Sequence, residues 1–177
     1  MRPVLRKSAL VVLLPLFLLA RSGAQFREEP LNPKEIDELR DAAQQPAQRM
    51  KLYVEFARAR LVALEQMRAD PKVKDRAQQT HDKLENFLAV YDELDDNIDT
   101  FVERKEDLRK PLKMVIEADN EFQAKLRALQ SARDSNPSEA EQYRFVLDNA
   151  VETVDTSLED HRRLLSQQEE AAKHKKK

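Results

Sequence analysis

Glycine occurs once in the 177-residue chain, at Gly23, inside a segment that reads as cleavable, so the mature protein is expected to contain none. Glycine supplies positive φ and close backbone approach. Its absence disfavours phosphate-cradling loops, nucleophile elbows, two-residue hairpins and dinucleotide-binding turns. Cysteine is missing altogether, which removes disulfides, thiolate metal sites, a cysteine nucleophile and a lipid-modified N-terminal cysteine. There is no tryptophan, and aromatics make up 6% of residues against 36% charged, a balance that suits thin helical seams better than a thick interior. The nearest match to an N-glycosylation acceptor, Asn136-Pro137-Ser138, is blocked by its proline.

What is present begins with an address. Arg2, Arg6 and Lys7 precede an apolar run from Ala9 to Ala20, and Ser22-Gly23-Ala24 places small residues at −3 and −1. Residues 1–24 therefore read as a secretory signal cut before Gln25. The apolar run, about 12 residues, is shorter than the roughly 20 that a comfortable membrane span needs, so no stable anchor is expected after cleavage. A disulfide-free exported domain fits a bacterial periplasm or the extracellular space. Cleavage removes four positive residues (Arg2, Arg6, Lys7 and Arg21) and no negative ones, taking the formal net charge from −2 to −6. An acidic chain of this kind is a poor match for nucleic acid, whose phosphates require a clustered basic surface.

The mature chain is long enough for one domain with one elongated core. Asn32-Pro33-Lys34-Glu35 and Asn136-Pro137-Ser138-Glu139 share one helix-start signature: an asparagine cap, proline at the first position and glutamate at the third. Asp70-Pro71 is a third start by the same logic, and Pro46 a softer boundary. These marks predict a leader over 25–32, a short helix over 33–45 and longer ones over 47–69, 72–107, 111–133 and 137–172. The basic tail 173–177 is expected to fray.

Seam positions follow alternating steps of three and four. Ala77, His81, Leu84, Leu88, Tyr91, Asp95, Ile98 and Val102 mark the third helix, with Phe87, Leu94 and Phe101 widening its face. Met50 to Leu64, Leu112 to Leu129 and Ala140 to Leu164 repeat the spacing on the second, fourth and fifth. The fold class predicted is all-α: an elongated antiparallel, coiled-coil-like bundle of three to four long helices plus the short N-terminal one. Between Glu103 and Met114 only Pro111 interrupts the helical pattern. The chain either turns there, which an antiparallel bundle favours, or continues as one kinked rod.

Several polar residues fall on or beside the seams. His81 and His161 sit at apolar positions, read as half-buried histidines with a neighbouring hydrogen bond. Neither has the glutamate three residues earlier that a di-iron bundle requires, since Gln78 and Leu158 stand there. Asp95 and Asp119 should lie at nearly one level on adjacent antiparallel helices, where two carboxylates could share a proton or a cation. Asp92, Asp96, Asp99 and Glu103 form an acidic stripe, read first as a solvated face and second as a divalent-ion site.

No catalytic residue and no cofactor are expected. The leading expectation is a non-enzymatic exported bundle acting by surface contact with protein, in an envelope, scaffold or chaperone-like role. The alternative is a ligand- or divalent-metal-responsive bundle using the seam histidines or the acidic face. The repeated Leu-Thr-x-x-Gln motif of spheroplast-type periplasmic chaperones is absent, so the chain is not assigned to that family. Self-association is a further expectation, because a fifth helix longer than the fourth would leave Leu164 and Leu165 uncovered.

Overall fold

The computed structural model describes residues 30–133 and 137–174. Among them are six helices and no strand: α1 (Pro33–Asp41), α2 (Pro46–Ala69), α3 (Arg76–Glu103), α4 (Arg109–Arg133), α5 (Pro137–Ala140) and α6 (Arg144–His174). The chain is an all-α helical bundle, and four long helices build it. The expected signal segment, residues 25–29 of the expected leader, the expected cap at Asn136 and the last three lysines lie outside the described residues.

The first start signal works as its chemistry demands. Asn32 Oδ1 accepts from the backbone N–H groups of Lys34 and Glu35, both at 3.0 Å, and Glu35 Oε2 accepts from Asn32 N–H at 2.9 Å. Glu35 does more than cap. Arg60 of α2 donates to both of its carboxylate oxygens at 2.7 and 2.6 Å, to the Pro30 carbonyl at 2.6 Å and to Asn86 of α3 at 2.8 Å. Burial would push the Glu35 carboxyl up, but the bonds from Arg60 and from Asn32 N–H outweigh it and hold it below its usual range. One guanidinium thus fastens α1 and its approach to α2 and α3. The first helix stops at Asp41 rather than 45, because Gln45 must leave the helical region ahead of Pro46 (φ −123°, ψ 86°) and α2 restarts on that proline.

Both boundaries of the third helix depart from expectation, and both involve left-handed backbone. Asp70-Pro71 starts only a turn, in which Asp70 Oδ1 accepts from Lys72 N–H at 2.9 Å. The third helix begins at Arg76 instead of 72, behind Asp75 at φ 50°. Its far end closes at Glu103 rather than 107. Lys105 adopts φ 60°, its N–H reaches the Val102 carbonyl at 2.9 Å, and Glu106 N–H reaches the Phe101 carbonyl at 3.0 Å. This is a Schellman stop built without glycine. The chain does turn, but Lys105 turns it. Pro111 sits within the first turn of α4, where a missing N–H leaves no helical bond unmade. The α6 side chain Gln168 supports the turn, accepting from Leu108 N–H at 2.8 Å and donating to the Glu106 carbonyl at 3.2 Å. A left-handed lysine costs about 1 kcal/mol that glycine avoids. Lys105→Gly should therefore raise the urea midpoint by an amount worth about 0.5 to 1 kcal/mol with an unchanged m-value.

The predicted single helix over 137–172 is two helices. The chain breaks at residues 141–143, where the buried Tyr143 ring lies beneath the Arg68 guanidinium at 5.2 Å and Glu139 meets Arg68 at 3.1 Å. These contacts tie α5 and the break to the end of α2, and α5 also touches α3 and α4.

Helix order around the bundle decides the rest. α2 pairs antiparallel with α3, and α4 pairs antiparallel with α6. The two hairpins dock with α2 beside α4 and α6 beside α3, each neighbour pair running in the same direction. α3 and α4, though consecutive, therefore face each other diagonally. One continuous core results, with Met50, Leu84, Phe87, Leu94, Leu112, Phe122 and Leu147 among its sealed side chains. Leu164 and Leu165, expected to be uncovered, are partly buried against that core. The break at 141–143 shortens α6, and its last turns run beside the α3–α4 turn.

Candidate functional site

At mid-height the core is not apolar. His161 of α6 is buried, and its ring lies between two carboxylates: Nδ1 is 2.9 Å from Asp119 Oδ2 of α4, and Nε2 is 3.2 Å from Asp95 Oδ1 of α3. The Tyr91 hydroxyl donates to the other Asp119 oxygen at 2.8 Å, and Ser157 Oγ donates to Asp95 Oδ2 at 2.5 Å. Asp119 and Tyr91 are fully sealed, whereas the Asp95 side chain keeps 30% of its surface in solvent. The five residues form one chain of contacts, Tyr91–Asp119–His161–Asp95–Ser157, spanning three helices.

Burial alone would push the imidazole down. The hydrogen bond to Asp119 and the approach of Asp95 outweigh it and raise His161 to about 9, so the ring is an imidazolium at neutral pH. Burial, then the negative charges of Asp119 and Asp95, push the Tyr91 phenol far up, so it stays protonated and serves as a donor.

The diagonal placement corrects one expectation. Asp95 and Asp119 do lie at one level, but not on adjacent helices, because α6 lies alongside both and fills the gap with His161. What they share is an imidazolium. His161 is far more buried than the half-buried role expected of it. His81 is partly exposed near the start of α3, 3.4 Å from the neighbouring Asp82. Asp92, Asp96, Asp99 and Glu103 line exposed positions of α3. Partial burial and the nearby charges of Asp95, Asp96 and Glu93 raise the Asp92 carboxyl.

The cluster's geometry limits its chemistry. Its two carboxylates approach opposite ring nitrogens, so the three side chains do not converge on one point, and no metal-holding group of three or more His, Asp or Glu occurs among the described residues. Ser157 is hydrogen-bonded to Asp95 rather than to the imidazole, an arrangement unlike a nucleophile facing its base. Tyr91 and Ser157 were legible as seam positions but not as members of a site. The available signal was spacing: Tyr91 stands four before Asp95 and Ser157 four before His161, so each pair shares a helix face.

Two shallow surface clefts of about 500 Å³ lie elsewhere, one at the start of α3 beside α5 and one between the first turns of α2 and α4. No described helix is long and apolar enough to cross a membrane. No protein-family model matches the chain, nor does any curated protein or solved structure.

Proposed function

We propose that this protein is an exported, non-enzymatic helical bundle that works by surface contact with another protein, in an envelope, scaffold or chaperone-like role. The observation that carries this reading is where the reactive groups lie. Among the described residues, the buried Asp95–His161–Asp119 cluster joins α3, α4 and α6 to each other, with Asp119 fully sealed and His161 nearly so. The outer helix faces are what the bundle presents to a partner. Phe145, 87% exposed in the first turn of the 31-residue α6, offers an apolar contact point on a rigid support. Export is inferred from residues 1–24, with their basic start, apolar run and small-residue cleavage motif.

A photo-crosslinking amino acid placed at Phe145 should give one discrete adduct in cells, absent when the same group stands at the exposed Glu117 of α4. The purified protein should also slow the aggregation of a chemically unfolded client, and Phe145→Asp should weaken that effect without changing the melting temperature. Absence of both the position-specific adduct and any slowing of aggregation would overturn the reading.

A further inference from the structure

The two sides of His161 are not equivalent. On the α4 side, Nδ1 and Asp119 Oδ2 meet in hydrogen-bond geometry at 2.9 Å, and Tyr91 holds the second Asp119 oxygen. On the α3 side, Nε2 and Asp95 Oδ1 are 3.2 Å apart but out of line, and Oδ1 is a buried acceptor with no hydrogen bond of its own. The helix seams differ in the same sense. α4 and α6 are laced along their length by Lys113–Glu169, Asn120–Arg162, Gln123–Asp155, Arg127–Asp155 and Gln130–Asp148. α3 and α6 touch more sparsely than any other neighbouring pair of long helices, and the two polar links crossing between them at this level both end on Asp95.

We propose that the Asp95–His161–Asp119 cluster is a proton-operated latch that opens the α3–α6 seam alone when the imidazole becomes neutral. The better-bonded Nδ1–H stays on Asp119, so the proton lost is the one on Nε2. A lone pair then faces a carboxylate oxygen, and an attraction across the seam becomes a repulsion. Asp95 is the side chain with access to water, and its negative charge already bears on Asp92, one turn earlier on α3. Once the cation is gone, hydration draws Asp95 outward and its link to Ser157 goes with it. The groups acting on the imidazole are Asp95 from α3 and Asp119 from α4, with Tyr91 of α3 bonded to Asp119 and Ser157 of α6 bonded to Asp95. No charged group of α2 contributes to its shift. The latch requires no partner and stands apart from the surface-contact reading.

The cysteine-free chain permits clean paired spin labels. One pair, at Asp99→Cys and Glu159→Cys, reports on α3–α6. The other, at Glu117→Cys and Glu159→Cys, reports on α4–α6. Between pH 7 and pH 10.5 the first distance should lengthen by several ångströms, with a midpoint near 9, while the second stays constant. In an Asp95→Asn background the first distance should remain short at both pH values, because an amide can donate to neutral Nε2. An unchanged first distance, a parallel change in both, or opening in Asp95→Asn equal to that of the parent would each overturn the latch. Nitrogen-15 spectra of the unsubstituted protein supply a check that does not depend on any variant folding. Above the transition His161 must be the Nδ1–H tautomer, and an Nε2–H tautomer would be incompatible with the proposal.

Discussion

Replacing His161 with leucine should cost the bundle about 3 to 5 kcal/mol at pH 7, because it strands a fully buried carboxylate, Asp119, opposite a second one with no cation between them. Removing the charges together should be far cheaper. In the triple variant His161→Leu, Asp95→Asn, Asp119→Asn, most of the loss should return, since the cost lies in an uncompensated buried charge rather than in the absence of an ion pair. Urea unfolding of the parent, the single variant and the triple variant decides the matter, and a single-variant loss below about 1 kcal/mol would mean that Asp119 is not held as a buried carboxylate. The same cluster sets a pH window. His161 is raised from about 6.5 to about 9, so the folded state binds the proton more tightly than the unfolded chain. Its contribution of about 3 kcal/mol is complete below pH 6.5 and fades as pH rises through 9. Stability of the parent should fall across that interval, and the His161→Leu variant should show no such fall.

Phe122→Ala should be comparably severe, at about 3 to 5 kcal/mol, or a melting temperature lowered by roughly 10 °C. Phe122 is fully sealed. Its ring meets Phe87 edge-on at 5.6 Å and Tyr91 at 6.2 Å, while Phe87 and Tyr91 stack at 5.6 Å. These three rings bridge the diagonal between α3 and α4 just where the polar cluster begins. Truncation opens a cavity and also loosens the seat of Tyr91, whose hydroxyl is bonded to Asp119. Phe122→Leu, which refills most of the space, should cost clearly less. Thermal melting of the two variants at pH 7 provides the comparison, and equal losses would show that packing of the aromatic trio is not what Phe122 contributes.

How much of this could be read from residue order differs from feature to feature. The Asn32 cap with Glu35, the restart on Pro46 and the seams of the long helices are short-range matters, decided by bonds within one turn and by a repeat that recurs every seven residues. They appear in the structure as the sequence implies. Asp95 and Asp119 fall at one level because a helix rises by a constant step, so counting back from a turn suffices. The Schellman stop at Lys105 and the left-handed Asp75 had no comparable signal. With no glycine beyond position 23, the residue that marks such positions is missing, and surrounding packing forces lysine and aspartate into the role.

Residue order by itself determined that the chain is helical, where most of its helices begin, which faces are apolar and which polar side chains interrupt those faces. These follow from local backbone preferences and periodicity. Only the tertiary structure decided which helices stand side by side. The diagonal separation of α3 and α4 and the placing of α6 against both arise from how whole faces cover one another, a long-range property that no single helix encodes. That choice brings His161 between two carboxylates and turns three isolated seam residues into one charge-linked cluster.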